Sequence, residues 1–191
     1  MDIPGSTGMG DAKGKSLDDI PGQLRRPGAK NLRTEFPRSS KETLGGYVHV
    51  ARMIDKARAR EAGINGDYVY PCPLDKLFLS FLEVSEQDFA YAAKTRTDDL
   101  ILEWLVVNGR SRSTKQIELW NKQMLERGPD DEAKWAYFNK TRDAIAPART
   151  DIVTWIDLLD LEEGREVPRR VVKSETPLHP PTKPSLLDPK A

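Results

Sequence analysis

The chain has 191 residues, of which 31% are charged and 38% hydrophobic, and its lysines and arginines equal its aspartates and glutamates at 30 each. A chain of this length normally makes one domain with a substantial core. The zero net charge excludes a field that would draw the whole chain to nucleic acid or to an anionic membrane, so we expect neither partner. The single cysteine excludes an internal disulfide and a cysteine-based zinc cluster.

The two ends of the chain differ in composition from its centre. Residues 1–28 are rich in Gly, Pro and Ser and nearly lack large apolar side chains, so we expect a disordered extension. Residues 166–191 are Pro-rich and show no sustained period, which predicts an extended or disordered tail whose VPRRVV stretch lies against the domain. The folded domain is predicted at 29–165. The first residues lack the layout of a signal peptide and no apolar run is long enough for a membrane span, so a cytoplasmic protein is expected.

Helix start and stop signals dominate the domain. The first helix is predicted from an N-cap at Ser39 or Ser40 to a stop at Gly63. Further helices are predicted after Cys72, Ser85, Thr97 and Ser113, and two more in DDEAKWAYFNKTRDAIAP and TDIVTWIDLLDLEEG, with Asp151 at the start of the last one. Only DYVYP resembles a strand. The predicted fold class is all-α, a single compact domain of six or seven helices.

The only cysteine, Cys72, stands between two prolines in YVYPCPLDKLF. Pro73 suits the first position of a helix, which makes Cys72 the N-cap and Asp75 the third helical residue. A thiol at a helix N-terminus can act as a nucleophile, but Asp75 opposes a thiolate there. A base is also needed, and His179 lies in the tail while the angular position of His49 on the first helix is outward. We therefore favour a capping role and keep a catalytic thiol as the alternative.

Polar side chains fall within the apolar stripe of the first helix. Asp55 and Arg58 are three residues apart on the core face, where they are predicted to pair. Lys56, Arg60 and His49 fall on the opposite face. An ionised side chain on a buried face destabilises a protein unless it is paired and hydrogen-bonded. The burial predicted for Asp55 and Arg58 therefore calls for an explanation.

Later segments repeat this pattern at Asn121, Asn139 and Arg142, followed by Arg149 in the next loop. One interpretation is a satisfied polar network that ties the helices together. The other is a cleft in which these residues and Arg58 bind an anionic group, because a guanidinium can grip a carboxylate or phosphate with two hydrogen bonds. No cluster of His, Asp or Glu has metal-ligand spacing, so neither a metal site nor a cofactor is predicted.

Several uncommon strings together are similar to one known family. NLRTEFPRSSKETLGGYVHVARMIDKARA, GDYVYPCPLD and NKTRDAIAPARTDIVTWIDLLDLEEGR occur in this order and resemble DUF5069, a bacterial domain family of unknown function. The resemblance covers roughly residues 30–165. It implies a small, soluble bacterial protein with no assigned activity, and it transfers no catalytic residues to this chain.

Three functions are open at this point. The leading hypothesis is a non-enzymatic module that binds a small anionic ligand or a partner protein in an inter-helix cleft. The alternative is an enzyme that acts on a small substrate through Cys72 or an Asp55-centred acid–base site. The third is a structural protein whose polar core serves folding alone. The sequence does not indicate an oligomeric state.

Overall fold

Seven helices make up the part of the chain that the computed structural model describes, residues 28–170. They are α1 (Val50–Glu61), α2 (Pro73–Leu82), α3 (Glu86–Thr95), α4 (Asp98–Asn108), α5 (Thr114–Leu125), α6 (Glu132–Ile145) and α7 (Trp155–Glu162). The described residues contain no strand, only an isolated bridge between Leu44 and Tyr47. The prediction of an all-α fold with six or seven helices is confirmed. None of these helices is long and apolar enough to cross a membrane.

Local capping signals place most helix starts correctly. The hydroxyls of Ser85 and Ser113 each accept a hydrogen bond from the backbone N–H three residues later. Pro73 is the first residue of α2, and the Asp75 carboxylate accepts a hydrogen bond from the Cys72 backbone N–H at 2.7 Å. The predicted cap positions of α2, α3 and α5 are therefore confirmed, because a cap depends on neighbouring residues alone.

The predicted start of the first helix is wrong, since α1 begins only at Val50. Gly45 and Gly46 have φ angles of +59° and +84°, a left-handed backbone that interrupts any helix at this point. A Cβ on Gly45 would lie 2.5 Å from the Leu102 side chain of α4. The two glycines therefore serve a tight turn packed against α4. His49, just before α1, also has a positive φ of 68°.

The last helix also begins later than predicted. Its N-cap is Thr154, whose hydroxyl accepts a hydrogen bond from the Asp157 N–H, and Trp155 is the first helical residue. Asp151 therefore precedes α7 instead of starting it. Its carboxylate binds the guanidinium of Arg149, so the loop before α7 is closed by this ion pair.

The core consists of two clusters of apolar side chains. The larger one joins residues of α1 to α5 with Ile156 of α7. At its centre the ring of Phe78 is fully buried and makes edge contacts with the rings of Tyr47, Phe89 and Trp120. The smaller cluster consists of Phe138, Ile152, Leu158 and Val167, and it joins α6 to α7.

The start of the tail lies against the domain. Val167 is buried in the smaller cluster, and the Arg170 guanidinium donates to the Asp157 carboxylate at 2.7 Å. This confirms the expectation for the first part of the VPRRVV stretch. Residues 1–27 and 171–191 lie outside the described residues, so the predicted disorder of both ends stays a prediction.

Removing the central ring tests the packing of the larger cluster. Phe78→Ala should lower the free energy of unfolding by about 3–5 kcal/mol, because it deletes a fully buried ring and leaves a cavity. Val106→Ala is the control: that side chain is 80% exposed, so its loss should change stability by less than about 0.5 kcal/mol. Urea unfolding of both variants measures the difference, and similar values for the two would contradict this description of the core.

Candidate functional site

A buried polar cluster joins the start of α1 to the start of α2. His49 is fully buried, and its Nε2 lies 2.9 Å from Oδ1 of Asp75. Its Nδ1 lies 2.9 Å from the hydroxyl of Ser40. A neutral ring satisfies both contacts when Nε2–H donates to the carboxylate and Nδ1 accepts from the hydroxyl. The prediction that His49 points outward is wrong, because it assumed helical phasing for a residue that has a left-handed backbone before α1.

Lys56 is the second residue that the sequence analysis placed on the wrong face, since it is only 3% exposed. Its Nζ donates to Oδ2 of Asp75 at 2.7 Å. The same nitrogen lies 3.1 Å from Sγ of Cys72 and 3.2 Å from the Val69 carbonyl oxygen. Three acceptors thus match the three N–H groups of the ammonium, which lets the charge stay buried.

The charges of this cluster are set by its mutual contacts. Burial acts to raise the pKa of Asp75, but the hydrogen bond from His49 and the charge of Lys56 outweigh it and lower this pKa to about 2. Burial lowers the pKa of His49, against the attraction of Asp75 and in the same direction as the charges of Lys56 and Arg52. At neutral pH the cluster therefore holds an ionised carboxylate and an uncharged imidazole.

Three side chains of this cluster have the chemistry of metal ligands. One ligand atom each of His49, Cys72 and Asp75 lies within 4.8 Å of the other two. The Lys56 ammonium, however, already contacts the ligand atoms of Cys72 and Asp75. A metal ion would be repelled by this charge and would have to displace it. The residues therefore fit an internal ammonium better than a metal ion.

The cluster borders a pocket of about 440 Å³, of which Cys72 forms part of the wall. The remaining walls are mainly apolar, with three charged residues among them. They come from the start of α2 (Pro73, Leu74, Leu77), the loop between α5 and α6 (Arg127, Gly128, Asp130), the start of α6 (Lys134) and α7 (Trp155, Leu159). This space lies between α2, α6, α7 and the loop before α6, which include segments distant in sequence. It is an inter-helix cleft, but none of the residues predicted to bind a ligand, Arg58, Asn121, Asn139, Arg142 and Arg149, lines it.

Two cationic residues, Lys134 and Arg127, line this pocket, and they differ in their partners among residues 28–170. The ammonium of Lys134 makes ion pairs with Asp130 and Asp131. Arg127 is exposed, and within residues 28–170 its guanidinium has neither an ion pair nor a hydrogen bond. Its backbone carbonyl accepts the N–H of Trp155 at 2.9 Å, which holds the residue in place beside α7. The guanidinium of Arg127 is therefore available to an anion in the pocket.

Asp55 and Arg58 are buried as predicted, but the predicted pair between them is wrong. Asp55 accepts hydrogen bonds from the backbone N–H of Arg38 at 2.8 Å and from its guanidinium. Arg58 binds Asp98 at 2.7 Å and two backbone carbonyls near the end of α3. Asp98 also contacts Arg38, so the two residues belong to one network through other partners. These partners precede α1 or lie on α3 and α4. The apolar stripe of α1 shows which of its residues face inward, but it cannot show which residues of other segments they contact.

The other two predicted arginines lie on α6 (Arg142) and in the loop between α6 and α7 (Arg149). Arg142 contacts Asp143 and a backbone carbonyl, and Arg149 forms a two-pronged pair with Asp151. Neither shares a partner with Arg58. The structure therefore does not bring the three arginines together around one anion, and their role in ligand binding stays a prediction.

The two predicted asparagines have different surroundings. The side-chain amide of Asn121 donates to the Gly46 carbonyl oxygen at 2.7 Å, and its oxygen accepts from the Val48 N–H at 3.1 Å. Asn121 thus ties α5 to the turn before α1. Asn139 is half-buried on α6. Across residues 28–170 every buried side-chain nitrogen or oxygen has a hydrogen-bond partner, which agrees with the structural interpretation of the inward polar groups.

Sequence reasoning missed four residues of this region, namely Ser40, His49, Lys56 and Arg127. One signal could have identified Lys56: α1 has alanines on several faces, which lets neighbours approach it from all sides. A helix buried all round offers no outward face for a charge. No sequence pattern pointed to Arg127, because the side chains that surround it depend on where α7 packs.

One family model matches the chain, and it is described as Domain of unknown function (DUF5069). The match spans residues 34–165, which is more than half of the chain and includes all seven helices that the structure describes. No curated protein matches the chain.

The acid stability of the protein tests the cluster around Asp75. The pKa of Asp75 in the fold is about 2, below the ordinary value of 3.8, so its stabilisation is complete above the ordinary value and is lost as the pH falls towards about 2. The shift corresponds to about 2 kcal/mol. The lowered pKa of His49 adds a second loss of stability, which begins at a higher pH, below the ordinary value of 6.5. In that range the unfolded chain takes up a proton at this residue and the folded protein does not.

Urea unfolding of the wild type and Asp75→Asn over this pH range measures both effects. The variant should be about 3–5 kcal/mol less stable at neutral pH, because Lys56 loses its charge partner. Its stability should then fall less steeply as the pH drops from the ordinary pKa of Asp75 towards about 2. Asp67→Asn removes an exposed carboxylate and should leave the profile unchanged. Equal acid slopes for Asp75→Asn and the wild type would contradict the assigned charge state.

Proposed function

Since the chain belongs to the DUF5069 family, which is described only as of unknown function, we propose its function from the geometry of its own pocket. The protein binds a small, largely apolar molecule with one anionic group in the cleft between α2, the α5–α6 loop and α7. The observation that carries this proposal is the position of Arg127, which lines a mainly apolar pocket of about 440 Å³ and whose guanidinium has no partner within residues 28–170.

The size and lining of the pocket suit such a ligand. Small-molecule sites are concave, mostly apolar and furnished with few polar groups, and their volumes start at about 300 Å³. Leu74, Leu77 and Leu159 supply aliphatic surface and Trp155 supplies an aromatic side chain. A carboxylate, sulfonate or phosphate on the ligand would receive charge-assisted hydrogen bonds from Arg127. The apolar walls support affinity, and the guanidinium of Arg127 supports orientation.

This proposal keeps the leading sequence hypothesis but moves its site. The ligand contacts Arg127, whereas Arg58, Arg142 and Arg149 hold partners within the protein. A small molecule accounts for the concave shape of the pocket better than a protein partner does. The cytoplasmic location expected from the sequence stays part of the proposal.

Binding of anilinonaphthalene sulfonate tests the site, because this dye combines an aromatic body with a sulfonate and fluoresces in apolar surroundings. Arg127→Gln should weaken binding about tenfold, the effect of losing one charge-assisted hydrogen bond. Leu74→Trp should weaken it further by filling the cavity. The matched control is Arg169→Gln, an exposed arginine outside the pocket, which should bind the dye like the wild type. Unchanged affinity in Arg127→Gln would overturn the proposal.

A second candidate function is a thiol enzyme that uses the same pocket. The observation that favours it is the position of Cys72, which lines the pocket at the N-terminus of α2 with its sulfur 3.1 Å from the Lys56 nitrogen. The Asp55-centred alternative has less support, because Asp55 is buried and bound by Arg38.

The alkylation rate of Cys72 separates the two functions. We expect iodoacetamide to modify Cys72 no faster than it modifies glutathione in the same buffer, because the residue is half-buried and caps a helix. Mass spectrometry of samples quenched over time gives the rate. A catalytic thiol would react about tenfold faster or more near neutral pH, and this result would favour the enzyme.

A further inference from the structure

The contact between Cys72 and Lys56 brings a nucleophilic sulfur and an amine together beside an open pocket. Their Sγ and Nζ atoms are 3.1 Å apart. We propose that this pair is a site of oxidative modification, at which a peroxide joins the two side chains through a covalent sulfur–nitrogen bond. This inference does not depend on the proposed ligand.

The structure holds the lysine nitrogen against the sulfur. Lys56 is buried, and its Nζ is bound on its other sides by the Asp75 carboxylate at 2.7 Å and the Val69 carbonyl at 3.2 Å. The backbone N–H of Cys72 donates to the same Asp75 oxygen that Lys56 contacts. One carboxylate therefore fixes both reacting residues, and little motion is needed to bring their atoms into bonding distance.

The oxidant has a route to the sulfur from the pocket. Cys72 is half-buried and forms part of the pocket wall, while Lys56 lies behind it and does not line the pocket. A peroxide that enters the pocket therefore meets the thiol before it can meet the amine. This order suits a reaction in which the sulfur is oxidised first and the nitrogen then attacks it.

The reaction has two steps and needs one molecule of hydrogen peroxide. In the first, the O–O bond breaks as a sulfur–oxygen bond forms, which gives a sulfenic acid at Cys72 and one water. In the second, the Lys56 ammonium first releases one proton to solvent, and the neutral Nζ then attacks the sulfur. The sulfur–oxygen bond breaks, and the hydroxyl leaves with another proton from the nitrogen as a second water. Sulfur loses two electrons, and the peroxide gains them.

The cross-link would change the electrostatics of the cluster. A nitrogen bonded to sulfur no longer carries the ammonium charge, so Asp75 loses the cation that lies 2.7 Å away. A buried carboxylate without its charge partner destabilises the fold. Oxidation should therefore weaken the junction between α1 and α2, and a thiol reductant should restore it by attacking the sulfur and releasing the amine.

Peptide mapping of the full chain after treatment with hydrogen peroxide tests the proposal. A protease that cleaves at acidic residues separates the two partners, because Glu61 and Asp67 lie between them. The expected product is a joined pair of peptides that contain Lys56 and Cys72, with a mass two hydrogens below their sum. Dithiothreitol should convert it back to the separate peptides.

Two controls make the result specific. Cys72→Ser should give no joined peptide, and its melting temperature should not respond to peroxide, whereas that of the wild type should fall and recover with dithiothreitol. Lys76 is the matched internal control, since it lies on α2 one turn after Cys72 but is exposed. A cross-link to Lys76, oxidation of Cys72 without any cross-link, or an unmodified Cys72 would each overturn the proposal.

Discussion

The buried carboxylate of Asp75 is the constraint on which the site depends. It binds the imidazole of His49, the ammonium of Lys56 and the backbone N–H of Cys72. These contacts cap α2, hold the residue that precedes α1, and compensate a charge in the middle of α1. Each contact alone would offset only part of the free-energy cost of removing the carboxylate from water. Together they keep it ionised in the interior. The position of Cys72 at the pocket follows from this anchoring.

Helix α1 carries several buried charges, and each of them has a partner on another element. Arg52 forms a two-pronged ion pair with Glu163 at the end of α7, while Asp55 binds Arg38 ahead of the helix. Such pairs orient neighbouring segments, because a slipped arrangement would strand a charge in the core. The buried charges of α1 therefore help to fix how the neighbouring segments pack against this helix.

The pocket beside Cys72 is the site of the proposed ligand. It is bordered by the start of α2 and by α7, and Arg127 of the loop between α5 and α6 lines it without a charge partner in residues 28–170. Cys72 faces the ligand space on one side and Lys56 on the other, so a bound ligand would shield the sulfur from an oxidant. Ligand binding and oxidation would then compete at this one residue, although each rests on different contacts.

The sequence by itself determined the fold class and most helix starts, because a cap such as Ser113 or the proline after Cys72 acts on residues within one turn. It also indicated that Asp55 and Arg58 are buried, since a stripe shows which face of a helix is apolar. Only the tertiary structure decided their partners and the inward position of His49. These depend on a left-handed turn that breaks the helical period and on segments far apart in the chain. The pocket could not be predicted for the same reason: its walls come from α2, α6, α7 and the loop before α6, which meet only when the chain has folded.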